Sequence, residues 1–223
     1  MSLFGKIGTK FSIKSLLQLP WRNSLLMIGL VAITLPEFFD TESQCINALF
    51  ASGLRLLHLR KPEAAFSDLE KLLAAIDNRY YNRIAMHYHH SLAVKYSLGG
   101  VHLSAITPSV PNNWRGRVSR SCHSMEELQK SAADCSYAFL SPIFDSISKV
   151  GYSSNFSLYE LQRAATQNII NSNVVALGGI TPENSSVVRS IGFGGAAVLG
   201  GLWISRDAKK IVARFEQYNA AWQ

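Results

Sequence analysis

The run Val174-Val175-Ala176-Leu177-Gly178-Gly179-Ile180-Thr181-Pro182-Glu183 decides the fold. Four consecutive apolar residues read as a strand covered on both faces, since a strand with one wet face would alternate polar and apolar side chains. A glycine pair ends it. Thr181 then offers a cap oxygen to a first helical turn, Pro182 presets φ where a helix needs no N–H, and Glu183 places an acid at the positive end of the helix dipole. The unit is a strand, a tight turn and a helix start.

The same unit recurs on both sides. Short apolar runs predict strands at Ile28 to Thr34, Leu54 to Arg60, Arg83 to His87, Gly100 to Leu103, Arg117 to Ser121, Tyr137 to Leu140, Val174 to Leu177 and Ala196 to Leu199. Between them, Cys45, Ile46, Leu49 and Phe50 form one helical stripe behind a Thr41 cap, and Phe66, Leu69, Leu73 and Ile76 form another. Ser124-Met125-Glu126-Glu127 has capping-box spacing. Repeated strand-then-helix units predict an α/β fold with a single (β/α)8 TIM barrel over residues 27–223; a doubly wound open sheet is the competing arrangement.

Composition agrees with one soluble domain. The chain has 223 residues, is 48% hydrophobic and 17% charged, and contains no apolar run of the about 20 residues that a membrane span needs. Cys45, Cys122 and Cys135 are widely spaced, which suggests neither a disulfide framework nor a thiolate zinc site and fits a reducing, cytoplasmic setting. The net charge is +7, but Lys6, Lys10, Lys14 and Arg22 supply four of those positives before Met27. The remaining charge is too modest for a nucleic-acid footprint and suits an anionic small molecule. Residues 1–26 read as a basic extension, either disordered or preceding a true start at Met27. Pro36-Glu37-Phe38, after the apolar run, offers no small-residue cleavage site for a secretory signal.

In a barrel, chemistry gathers at the C-terminal ends of the strands. Gly178-Gly179 and Gly200-Gly201 follow strands seven and eight, where backbone N–H groups often hold a phosphate, although each pair could equally serve a tight turn. Arg60, Lys61 and Lys149, with Ser146 and Ser148, form a second anion-seeking set. All six histidines fall between His58 and His123. They raise a zinc reading, with His58, His102 and His123 beside one inward member of the His87/His89 pair, but no acid among the strand ends completes a carboxylate-bridged centre. No metal is therefore expected. His123 stands apart. It follows Ser121 and precedes a helix N-terminus, whose dipole favours the neutral imidazole that can both take and give a proton near pH 7.

Read together, Leu57-His58-Leu59-Arg60-Lys61-Pro62, Gly100-Val101-His102-Leu103, Ser121-Cys122-His123-Ser124-Met125-Glu126-Glu127, Ser141-Pro142-Ile143-Phe144 with Lys149, and Val175-Ala176-Leu177-Gly178-Gly179-Ile180 resemble the thiamine phosphate synthase / TenI family in the family's order. The resemblance implies a (β/α)8 barrel in thiamine biosynthesis. Synthases of the family join a pyrimidine diphosphate to a thiazole phosphate with magnesium, while TenI-type members isomerise a thiazole phosphate tautomer to its aromatic form. The synthase pattern has Asn-Asp after strand three, an Asp after strand four, and usually Gln at the His58 position. Here stand His87-Tyr88 and Thr107. Magnesium prefers hard oxygen ligands, and neither Tyr nor Thr replaces a carboxylate. The expectation is accordingly a metal-independent, cofactor-free tautomerase with His123, at the family's Ser-x-His position, moving the proton. Arg60 would hold a substrate carboxylate, Ser121 and Lys149 would add polar contacts, and Gly178, Gly179, Gly200 and Gly201 would hold the phosphate. The alternatives are a magnesium-dependent synthase and a barrel that binds thiazole or thiamine phosphate without turnover. The expected partner is a small molecule, with no nucleic acid and no membrane, and a homo-oligomer is compatible with all three.

Overall fold

The computed structural model of the protein describes residues 28–145 and 154–223. Eight parallel strands close a barrel in chain order: β1 (Gly29–Ile33), β2 (Leu56–Leu59), β3 (Ile84–Met86), β4 (Gly100–Leu103), β5 (Arg117–Cys122), β6 (Tyr137–Leu140), β7 (Val174–Leu177) and β8 (Gly195–Val198). Closure is made by β8 pairing with β1, with Leu30 beside Ala196 and Val31 beside Ala197. An open doubly wound sheet would leave two edges, so this pairing removes that alternative. The extension at residues 1–26 lies outside the described residues. Among the described residues no helix is long and apolar enough to cross a membrane.

The described helices are α1 (Glu42–Ala51), α2 (Phe66–Ala75), α3 (His90–Lys95), α4 (Met125–Ser131), α5 (Leu158–Thr166), α6 (Pro182–Ile191) and α7 (Ala208–Trp222). The strict eightfold repeat breaks once, because β4 passes to β5 through turns without a helix. Thr41 precedes α1 but does not cap it; its hydroxyl donates instead to the Arg206 carbonyl, tying α1 to the loop before α7. At α4, Ser124 Oγ accepts from the Glu127 N–H at 3.2 Å, while the Glu127 carboxylate accepts from the His123 N–H at 2.7 Å. The cap therefore reaches one residue further upstream than the box spacing implies and fixes the backbone at His123.

Side chains on each strand alternate between two apolar compartments. Val31, Ile33, Leu56, Ala85, Tyr137, Phe139, Val175 and Ala197 fill the barrel interior. The opposite faces meet the helix stripes in an outer shell that includes Ile46, Leu49, Leu57, Leu59, Leu69, Leu73, Met86 and Phe215. The α2 stripe holds at Leu69, Leu73 and Ile76, but Phe66 at its start is half exposed.

Candidate functional site

The inward alternation places His58 two residues beyond Leu56, His87 two beyond Ala85, Ser119 and Ser121 on β5, and His102 on β4 among the interior side chains near the C-terminal end of the barrel. His58, His87 and His102 are all buried. His58 Nδ1 lies 2.8 Å from His87 Nε2, and His58 Nε2 lies 2.6 Å from the Tyr137 hydroxyl. His102 sits with Nδ1 2.9 Å from Ser119 Oγ and Nε2 3.1 Å from Ser121 Oγ. Burial pushes all three imidazole pKa values down, that of His102 to about 3, and the positive charge of Arg60 adds to the effect on His87 and His102. The rings are neutral at pH 7. Burial likewise pushes the Tyr137 phenol up to about 12, so it stays protonated.

This is the one group of at least three His, Cys, Asp or Glu side chains among the described residues whose ligand atoms lie within 4.8 Å of one another. It does not fit a zinc ion. A metal must lie near the plane of each imidazole that binds it at about 2.0–2.1 Å. The His87 and His102 rings are stacked, with centroids 4.1 Å apart and planes 18° from parallel, so one ion cannot lie in both planes. Each ring nitrogen named above already faces a hydrogen-bond partner. Magnesium fares no better. Tyr88 and Thr107 follow β3 and β4, and Thr107 Oγ1 donates to the His87 carbonyl at 3.2 Å. The described residues gather no carboxylates there.

His123 is exposed at the end of β5. Its Nδ1 lies 3.1 Å from the Ser141 carbonyl. A carbonyl only accepts, so in the neutral ring Nδ1 carries the hydrogen and Nε2 keeps its lone pair. Geometry thus presents Nε2 as the basic nitrogen.

The predicted anion-binding residues separate. Arg60 is half buried at the end of β2; its backbone exchanges hydrogen bonds with Thr34 Oγ1, and its charge lies close enough to act on His87 and His102. Lys61 departs from the expectation. It is 1% exposed, with Nζ 2.7 and 2.8 Å from the two Glu42 carboxylate oxygens and 2.6 Å from the Glu37 carbonyl. Its charge is already neutralised, so it is a structural residue rather than a phosphate ligand. Burial is the largest influence on both partners, raising the Glu42 pKa and lowering that of Lys61 against their mutual attraction. Removing one partner strands the other, and a broken buried pair costs about 3–5 kcal/mol. We expect Glu42→Ala to lose stability on that scale in urea unfolding and Glu42→Leu with Lys61→Met to recover most of it. A loss below about 1 kcal/mol would instead put the pair in the surface class.

Gly178 and Gly179 have φ of +99° and +63°, and a Cβ would stand 2.9 Å from Pro142 Cα and 2.5 Å from the Asp145 carbonyl respectively. The close approach that demands glycine here is to the β6 loop. Gly201 is likewise explained by packing, since a Cβ would meet the Tyr218 hydroxyl. Gly200 is exposed. Ser121 is half buried against His102, while Ser146, Ser148 and Lys149 lie outside the described residues. Sequence reasoning missed Glu42, whose pairing is not local, and Tyr137. The available signal for Tyr137 was its place two residues before Phe139, on the same strand face.

Known proteins bear on this arrangement directly. The sequence model of the family described as thiamine monophosphate synthase matches residues 30–202. A thiamine-phosphate synthase of Yersinia pestis is 30% identical over 178 residues, covering 76% of this chain and 82% of that protein. One from Nitrosococcus oceani is 30% identical over 138 residues, covering 59% of this chain and 62% of that protein. Among solved structures, a thiamine phosphate pyrophosphorylase from Bacteroides thetaiotaomicron superposes with a TM-score of 0.79 at 38% identity, over 86% of this chain and 96% of that one. One from Pyrococcus furiosus shares the fold at 18% identity and a TM-score of 0.69, over 88% of this chain and 96% of that one. The match to the family model spans most of the barrel, and the chain belongs to the thiamine monophosphate synthase family.

Proposed function

We propose that the protein binds a thiazole phosphate at the C-terminal mouth of the barrel and isomerises it by proton transfer, with His123 as the acid and base. The observation that carries this reading is the His123 ring, its Nδ1 held on the Ser141 carbonyl and its Nε2 left with a lone pair. General acid–base catalysis needs such a nitrogen within hydrogen-bond reach of the substrate proton. Arg60 supplies the charge that attracts the substrate anion, and the backbone around Gly178, Gly179, Gly200 and Gly201 supplies N–H groups for its phosphate. No step here requires a metal. The setting is thiamine biosynthesis in the cytoplasm.

The second reading is coupling of a pyrimidine diphosphate to the thiazole phosphate. The relatives' names favour it, since the curated proteins are thiamine-phosphate synthases and the 38% identical structure is a pyrophosphorylase. On names alone it would lead. What moves the balance is local to this chain: Tyr88 and Thr107 stand where the resemblance places the magnesium acids, and the nearest multidentate cluster is nitrogenous and hydrogen-bonded. One experiment separates them. Purified protein is offered the thiazole tautomer alone, and separately both synthase substrates, each with magnesium and with EDTA. Turnover of the tautomer that EDTA leaves intact supports isomerisation; magnesium-dependent formation of thiamine phosphate overturns it in favour of the synthase.

A further inference from the structure

The interior histidines form two hydrogen-bonded arms that both reach the mouth. One runs from His87 through His58 to Tyr137, with spacings of 2.8 and 2.6 Å. The other runs from Ser121 through His102 to Ser119, with spacings of 3.1 and 2.9 Å. They come together at Ser119 and Tyr137, which stand opposite each other in the β5–β6 register; the Ser119 hydroxyl faces both His102 Nδ1 and, at 3.3 Å, the Val101 carbonyl. We propose that these six residues form a proton relay with two openings at the mouth, His87 and Ser121, and that the relay is the second acid–base group of the isomerisation, opposing His123.

The physical basis is that every member can donate on one side while accepting on the other without becoming charged. In one setting Tyr137 donates to His58 Nε2, His58 Nδ1–H donates to His87 Nε2, and His87 Nδ1 carries a hydrogen. In the other, His87 Nε2–H donates to His58 Nδ1, His58 Nε2–H donates to Tyr137, and the phenol donates to Ser119. Switching between them turns His87 Nδ1 from an acid into a base. Burial penalises any imidazolium in this interior, so concerted movement of neutral tautomers is the route that the environment leaves open. Arg60, close enough for its charge to act on His87 and His102, would hold the anionic substrate beside the openings.

The inference rests on the isomerase reading, and its step balances without any change of oxidation state. His123 Nε2 takes a proton from one substrate atom, and the bonding pair stays in the substrate π system. An N–H or O–H at a relay opening breaks to form the new bond at a second substrate atom. Water at the mouth then takes the proton from His123 and returns one to the relay.

Tyr137→Phe keeps the ring and cuts the chain, and Ser119→Ala cuts it from the other side. In the wild-type protein without substrate, nitrogen NMR is expected to show both His58 ring nitrogens averaged between protonated and lone-pair shifts. In Tyr137→Phe the same ring settles into one tautomer. For isomerisation we expect each variant to lose about 10- to 100-fold in kcat with KM within about twofold, and the double variant to lose no more than either single one, as for residues acting as one unit. Packing defects at two neighbouring positions can also fail to add, so the kcat loss is read together with the His58 tautomer, which packing alone would leave averaged. A wild-type His58 locked in a single tautomer overturns the relay, as does wild-type kcat in a folded Tyr137→Phe protein. If the wild-type enzyme isomerises nothing, the function reading has failed, and the nitrogen spectrum alone decides whether the tautomer-switching chain exists.

Discussion

His123→Ala is expected to lower kcat for thiazole isomerisation by about 100- to 10,000-fold while KM moves by no more than a few fold, the range that a positioned acid–base group usually supplies. The split follows from where the ring is tied. His123 is held by two contacts within the protein: its backbone N–H on Glu127 Oε2 at 2.7 Å and its Nδ1 on the Ser141 carbonyl at 3.1 Å. Substrate binding is assigned to Arg60 and the backbone near the glycine pairs, so truncating the imidazole removes proton transfer and leaves the anion contacts in place. His123→Asn is the more searching variant. Its amide nitrogen stands where Nδ1 does and can replace the donor to Ser141 but offers no basic nitrogen, so it should be as inactive as Ala while staying close to wild-type stability. An Asn variant with more than a tenth of wild-type kcat would remove His123 from the reaction. Glu127→Ala tests the support separately, releasing the His123 N–H and the first turn of α4, and a smaller kcat loss is expected there.

How much of this was legible in sequence depends on how local the cause is. Most of the strands announce themselves because a strand buried on both faces must be an apolar run, and β4, β6 and β7 begin and end where their runs do, whereas β5, Arg117 to Cys122, is largely polar and only partly buried. Leu54 to Arg60 overstates β2 because Leu54, though apolar and buried, precedes the first ladder pairing, and Arg55 and Arg60 flank the paired residues. The missing helix between β4 and β5 was hidden by the regularity of its neighbours. Lys61 was misread for a different reason. Its sequence environment, Arg60-Lys61-Pro62, is that of a surface loop, and the Glu42 that neutralises it stands 19 residues earlier, on the first turn of α1. Convergence of His58, His87 and His102 was half legible: period-two alternation tells which face each takes, but not the stagger between strands. That stagger pairs His58 with Ala85 and so brings it within reach of His87 on the next inward position. The same stagger makes Tyr137 a partner of His58 across the barrel, which no local pattern encodes.

The burial of those histidines carries a stability consequence as large as any substitution. In the fold, His58 and His87 have pKa values pushed far below 6.5 and His102 is lowered to about 3, whereas in the unfolded chain all three titrate near 6.5. Above about pH 7 both states hold neutral rings and pH has no leverage through them. Below 6.5 the unfolded chain takes up protons that the fold refuses, so stability falls as pH drops, and it continues to fall until the folded values are reached. Each such histidine contributes a slope of about 1.4 kcal/mol per pH unit, and three together about 4. His90, also lowered by burial, pulls the same way. Glu42 opposes them, because its raised pKa lets the fold bind a proton before the unfolded chain does, but it can offset one proton at most and only near and above 4.5. The positive charge of Arg117 beside His58, and those of Arg60 and Arg120 beside His102, deepen the penalty on the rings. A domain holding about 5–15 kcal/mol in total cannot absorb that slope for many pH units. Urea midpoints measured from pH 8 to 5 should therefore be flat above 7 and fall steeply below 6.5, with cooperative acid unfolding before pH 4. His102→Gln, which cannot titrate, should flatten the slope by about a third whatever its effect at pH 8. A wild-type midpoint unchanged between pH 7 and 5 would mean that these rings are protonated or solvated in the fold, and the neutral hydrogen-bonded interior would have to be abandoned.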